Sequence, residues 1–339
     1  MRGTEVLKVL RGDPGRRPIP DRAVVAAARA HLEAAAAAWA GAVPDGIVVR
    51  VTKAAVTGVR RCELRHLVEL ERRERGGDGP EPAAVVRGRL MDAVFRQVAT
   101  TGGVGEDPLA DALTACAADG DPAEAALAAL GPDEQRLVGD EVAAASAALV
   151  ACWPALPPGA ALRTQERLLV ALAGGRVQLS GRPDLALGRP TRQRSGVLVC
   201  EAKSGRFRPE HLDELRFYVL LEALRWGVAP FRAVVWSLGD GRIEAVDVDA
   251  DLLWSETLRV GDAIVRLTRL AAGEAPRASA NPLCPSCPRL DGCPDGTRQM
   301  ALAGDGRPVE EEQDDAEEEY EEACGGPAAS GSAVGRRCA

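Results

Sequence analysis

Apolar positions follow two rhythms along the 339-residue chain. Over residues 21–153 they recur every three or four positions, the period of a helix with one buried face. After the Pro-rich stretch at 154–158 they come in short alternating or continuous runs, as in strands. The first stretch predicts a helix over 21–40 ended by Gly41 and Pro44, and a short apolar run at 47–51. A helix over 52–75 follows, with Thr52 as N-cap and Gly76-Gly77 as its stop. Another is expected over 83–99, and two or three more over 108–153. The second stretch predicts strands over 166–171, 177–187 and 196–202, a helix over 209–226, a hairpin of 231–238 and 242–248 turning at Gly239-Asp240-Gly241, and a helix over 251–271. No internal repeat is present.

That order, three strands, a helix, two strands and a helix, predicts an α/β core. The expected organisation is a disordered Arg-, Gly- and Pro-rich N-terminus (1–20), a helical region (21–153), the α/β core (154–272), a Cys-rich segment (273–300) and a disordered acidic tail (301–339).

The net charge of −8 changes this picture only locally, because residues 310–322 hold ten acidic residues and no basic ones. Residues 1–309 carry 40 acidic residues and, with Arg336 and Arg337 set aside, 40 basic ones, so the overall acidity does not exclude a nucleic-acid groove. The tail is expected to be solubilising. No run of eighteen apolar residues free of charge occurs, and the first residues lack the apolar stretch of a signal peptide. The expectation is a cytoplasmic protein with no membrane partner. In that compartment nine cysteines argue for burial and a metal site rather than a disulfide framework.

Lysine is nearly absent. Of 42 basic residues only Lys8, Lys53 and Lys203 are lysine. Where arginine is the default cation, Lys203 stands out: it follows Glu201 by two residues and lies downstream of Pro183-Asp184. A lysine ammonium is a compact point charge that can approach a water or a phosphate oxygen, whereas guanidinium is a planar fork. On a strand, Glu201 and Lys203 project to one face while Cys200 and Ala202 project to the other. Hard divalent cations need only one or two carboxylates beside a substrate phosphate, and Asp184 with Glu201 can supply them. Alone, E-x-K is a common tripeptide and Asp184 an ordinary turn residue beside proline.

Together, Pro183-Asp184 and Glu201-Ala202-Lys203 resemble the PD-(D/E)xK nuclease superfamily. Two further positions resemble its RecB-like branch: Glu166 on the preceding strand, and Glu214-Leu215-Arg216-Phe217-Tyr218, similar to Q-L-x-x-Y with Glu214 in place of glutamine. Upstream, Gly88-Arg89-Leu90-Met91-Asp92 aligns with G-x-x-x-H, Asp92 standing where the branch often has a histidine ligand. The resemblance implies a restriction-endonuclease-like mixed sheet flanked by helices. It also implies a metal-dependent DNA nuclease, expected to be an exonuclease acting on single-stranded DNA or free ends, in repair, recombination or defence and with protein partners there. Asp184, Glu201, the Ala202 carbonyl and Asp92 would hold Mg²⁺ or Mn²⁺. Lys203 would position or activate water, and Glu166 and Tyr218 would support the cleft.

Cys284, Cys287 and Cys293 form C-x₂-C-x₅-C, three thiols able to grip one metal. In RecB-like nucleases of the CRISPR-associated and AddB types, one upstream cysteine joins three downstream ones around a [4Fe–4S] cluster, a resemblance that implies Cys62 as fourth ligand. Four thiolates suit tetrahedral Zn²⁺ equally well. Cys116, Cys152 and Cys200 read as small buried hydrophobes, and Cys324 and Cys338 as tail residues. Trp226, Trp236 and Trp254 read as core aromatics, and Arg206 and Arg208 as phosphate contacts. His66 and His211 read as surface or satisfied residues, with His211 near the cleft. Two other readings stand beside the nuclease: a catalytically silent module of the same fold, and a zinc-stabilised interaction protein with a coincidental motif.

Overall fold

The computed structural model describes residues 2–15, 22–75, 81–157, 159–191 and 196–303. The acidic run at 310–322, Cys324, Cys338 and the Gly76-Gly77 stop lie outside them. Helices α1 (Gly3–Arg11) and α2 (Arg22–Ala40) lead into strand β1 (Val49–Val51). Helices α3 (Lys53–Arg61), α4 (Glu63–Glu74), α5 (Ala83–Thr101), α6 (Pro108–Ala118), α7 (Ala123–Ala129) and α8 (Pro132–Cys152) follow. Next come β2 (Leu162–Thr164), β3 (Leu168–Leu172), β4 (Val177–Gly181), β5 (Leu185–Leu187), β6 (Leu198–Lys203), α9 (Pro209–Trp226), β7 (Arg232–Ser237), β8 (Ile243–Asp247), α10 (Ala250–Ala271) and α11 (Pro294–Ala303).

The strands form two sheets, β1-β4-β3 and β2-β5-β6-β7-β8. In the larger sheet β6 and β7 are parallel and joined through α9, while β5 and β8 run antiparallel to their neighbours. This is the mixed α/β architecture expected of a restriction-endonuclease-like core. Helix α9 is bounded as its sequence directs, with Pro209 in its first turn and Gly227 in the left-handed conformation at its C-cap. The pleat of the larger sheet divides two hydrophobic cores. Val197, Val199, Ala233 and Val235 pack with α2, α9 and α10. Leu198, Cys200, Ala202, Val234 and Trp236 pack with α1, α5 and α8. The two-residue alternation read from the sequence is therefore the partition between two helical layers.

Several expectations need correction. The helix over 52–75 is two helices, because Cys62 adopts an extended backbone (φ −166°, ψ 114°) that ends α3 and begins α4. Thr52 does cap α3, accepting from the Ala55 N–H at 3.0 Å. The run over 177–187 is two strands in different sheets. Arg182-Pro183-Asp184 crosses between them and is not itself a strand, consistent with a proline that cannot donate to a ladder. Residues 1–20, expected to be disordered, include α1: Val6 and Leu10 stand one turn apart and bury into the α5/α8 core, and Arg232 donates to the Val9 carbonyl. The region 21–153 is not simply a helical layer, since β1 pairs in parallel with β4 and builds residues 49–51 into the core. Trp236 is buried, but Trp226 and Trp254 are 41% and 38% exposed. Arg225 stacks on Trp226, which covers that ring without burying it.

Candidate active site

The site forms where β6, α9 and α3 meet. Glu201 and Lys203 point from β6 away from the face occupied by Cys200 and Ala202. The crossover helix α9 lies over that face and brings Glu214 and Tyr218, one turn apart, to meet them. Asp184, just ahead of β5, reaches across to β6: its Oδ2 accepts the Ala202 N–H at 2.7 Å, and its carbonyl accepts the Gln165 N–H at 3.1 Å. Asp184, Glu201, Lys203 and Glu214 are all buried, at 8%, 2%, 4% and 8% exposure.

Lysine 53 completes the group, and sequence reasoning missed it. It is the first residue of α3, directly after the Thr52 cap, and it is 3% exposed. Its Nζ lies 3.3 Å from Glu201 Oε1 and 3.6 Å from Glu214 Oε2. Lys203 Nζ lies 3.8 Å and 3.2 Å from the same two oxygens. The Lys53 ammonium also stands 5.4 Å from the centre of the Tyr218 ring, within cation–π range. Two of the chain's three lysines thus enclose one pair of glutamates.

The carboxylates stand close enough to act on one another's ionisation. Burial, then the charges of Glu201 and Asp92, hold the Asp184 carboxyl well above the usual range, against the opposing pull of the Ala202 N–H and Lys203. Asp92, half-buried on α5, is therefore within electrostatic reach of Asp184. Glu201 Oε2 is buried with no hydrogen-bond partner among the described residues. A divalent cation would answer both features, since it relieves carboxylate repulsion and gives the orphaned oxygen a partner. The donor set, hard oxygens alone, suits Mg²⁺ or Mn²⁺.

Glu166 does not join this group. It lies in the turn between β2 and β3, where its carboxylate pairs with Arg163 at 2.8 Å and Arg225 at 2.5 Å. Those two guanidiniums hold its pKa low against the effect of burial. The adjacent Gln165, through its backbone, is what touches Asp184. His211 is buried and its Nδ1 accepts the Arg208 N–H, while Arg206 is exposed just beyond β6.

The model of the PD-(D/E)XK nuclease superfamily matches residues 50–294. This chain belongs to that superfamily. The match begins just before Lys53 and ends just after Cys293, so it spans all the site residues above and Cys284, Cys287 and Cys293. It removes the reading in which the motif is coincidental. No curated protein is detectably similar in sequence. The crystal structure of SSO0001 is similar over 78% of this chain and 94% of its own, at 14% identity and a TM-score of 0.33, a likeness too distant to bear on function. No helix among the described residues of this superfamily member is long and apolar enough to cross a membrane.

Cys62, Cys284, Cys287 and Cys293 line one small cavity, with Leu290 and Gly296. The break at Cys62 turns the α3–α4 junction toward the C-terminal segment. That segment is tied to α4 by Arg277 N–H to Glu63 (2.9 Å), Leu64 N–H to the Arg277 carbonyl (3.3 Å) and Arg65 to the Leu283 carbonyl (2.5 Å). Backbone N–H groups point at two sulfurs, Asn281 at Cys284 (3.3 Å) and Gly296 at Cys293 (3.4 Å). Among the described residues no set of three or more His, Cys, Asp or Glu side chains stands at metal-binding spacing. Cys116 and Cys200 are buried away from this cavity, and burial pushes the Cys116 thiol up to about 12 and Cys200 well above its usual value.

Proposed function

We propose that this superfamily member is a divalent-metal-dependent DNA nuclease of the RecB-like type, acting as an exonuclease on free ends or single strands. The supporting observation is the buried meeting of Asp184, Glu201 and Lys203, with Glu201 Oε2 left without a protein partner. Asp184 and Glu201, with Asp92 and the Ala202 carbonyl, would hold Mg²⁺ or Mn²⁺. Such an ion, when bound, acidifies its water and offsets charge on the phosphate. Lys203 orients the attacking water through a compact ammonium that Glu214 holds at 3.2 Å. Tyr218, buried under Lys53 and against Gly181, supports the cleft wall.

The four cysteines we assign to one thiolate metal centre, a [4Fe–4S] cluster, with Zn²⁺ as the competing occupant. Their shared cavity and the two N–H groups aimed at sulfur support this, because hydrogen bonds to sulfur tune and stabilise metal-bound thiolates. The setting that fits these roles is cytoplasmic repair, recombination or defence, in a larger assembly.

The test is incubation of anaerobically purified protein with end-labelled single- and double-stranded DNA and with closed circular DNA, in Mn²⁺ or in chelator. Release of label from linear DNA, dependent on metal and sparing the circle, is expected. Cutting of the circle would replace the exonuclease by an endonuclease, and DNA binding without cleavage of any substrate would make the protein the silent module.

A further inference from the structure

Lys53 has no role in the chemistry above, yet it is as buried as Lys203 and touches the same oxygens. Burying an ammonium is costly unless it is paired, so the pairing accounts for its stability there but not for its presence. With every carboxyl ionised, as cation binding requires, Lys53, Lys203, Glu201 and Glu214 sum to zero, and Asp184 and Asp92 leave the site at −2, the charge a divalent cation balances. In a buried site these charges are screened by salt much less than exposed ones. Lys53 also occupies the Oε1 side of Glu201, leaving Oε2 as the oxygen without a partner.

We propose that Lys53 is a positioning residue, and that Lys53 and Glu214 form a charge-compensated pair that sets how tightly the Asp184 and Glu201 carboxylates take a divalent cation. Lys53 restrains cation affinity and turns Glu201 Oε2 toward the ion; Glu214 offsets that positive charge and keeps both ammoniums in place. The proposal rests on the reading of Asp184 and Glu201 as cation ligands.

The experiment is calorimetric titration of Mn²⁺ into the full-length protein without DNA, for wild type, Lys53→Met, Glu214→Gln, the double variant and Asp184→Asn. Lys53→Met should bind Mn²⁺ about fivefold or more tightly and Glu214→Gln about fivefold or more weakly. The double variant should return to within about twofold of wild type. A purely structural role predicts that both single variants weaken binding. Shifts in the same direction, or none, overturn the proposal while leaving the ligand assignment standing. If wild type binds Mn²⁺ no better than Asp184→Asn, both fall. Should circular dichroism show Lys53→Met unfolded, Glu214→Gln and Lys53→Arg decide: the first must still weaken binding and the second, keeping the charge, must stay within about threefold of wild type.

Discussion

At the scale of the residue, the site is defined by unlike charges confined together. Asp184 carries a raised pKa from burial and from Glu201 and Asp92. The stabilising contribution of such a group is complete below the unfolded carboxylate value of about 3.9 and is lost as pH rises through the higher folded value. As pH rises toward neutral, burial and the neighbouring carboxylates at Asp184 therefore cost the metal-free protein stability. Asp184→Asn should raise the melting temperature of the metal-free protein at pH 7 by on the order of 2 °C or more. The gain should shrink toward pH 4, where Asp184 is itself protonated, and Mn²⁺ should stabilise wild type but not the variant. Thermal scans at pH 4 and pH 7 with and without Mn²⁺ check this; a variant less stable than wild type at pH 7 in chelator would contradict it. The scarcity of lysine made Lys203 legible in the sequence. The same signal applied to Lys53, which went unassigned because its partner Glu201 lies 148 residues away and α3 reaches the site through tertiary contacts, the pairing of β1 with β4 and the packing of α3 on α9 and α10.

Among the elements, the junction of α3 and α4 shows where periodicity misleads. Apolar spacing runs through residue 62 as though one helix continued, and only the extended backbone of Cys62 reveals the break. Across this junction His66 packs onto Gly58, where a Cβ would meet His66 Nδ1 at 2.7 Å. Burial, and then the neighbouring Arg73 charge, lower the His66 pKa to about 4. Stability from neutral His66 is complete above about pH 6.5 and is lost as pH falls toward 4, because the unfolded chain takes the proton first. Relative to wild type, His66→Gln should lose less stability between pH 6.5 and 4, the difference being up to about 3 kcal/mol. Urea unfolding across that window measures it, and parallel slopes for the two proteins would contradict the assignment. A second test concerns the close approach of β4 to α9: Gly181→Ala places a methyl 2.7 Å from the Tyr218 ring and should cost about 1–3 kcal/mol in the same assay. A change below a few tenths would show that the ring has room to move.

For the whole molecule, order and class of elements were legible because the core is built from local patterns: helix α9 and the β7–β8 hairpin stand within a residue or two of their expected bounds. What was not legible depends on distance in sequence: the division of 177–187 between two sheets, the docking of α1, and the pairing of Glu166 with Arg225. The meeting of Cys62 with the C-terminal cysteines at one cavity is another such link. If one metal centre joins them, Cys62→Ser should lose metal and thermal stability to the same degree as Cys287→Ser, with Cys116→Ser as an unaffected control. Iron, sulfide and zinc analysis of anaerobically purified variants decides it. Full occupancy in Cys62→Ser would place the fourth ligand elsewhere, and zinc without sulfide in wild type would make the centre a zinc site.

The claim on which the account depends is that the buried carboxylates and Lys203 cleave DNA. Its most direct measure is the Mn²⁺-dependent cleavage rate of end-labelled DNA by Lys203→Ala and Lys203→Arg beside wild type, with DNA affinity measured in parallel. Both variants should lose at least about 100-fold in rate while binding DNA within about threefold of wild type, because the guanidinium fork cannot take the place of the ammonium at the attacking water. Cleavage by Lys203→Ala at the wild-type rate would contradict it.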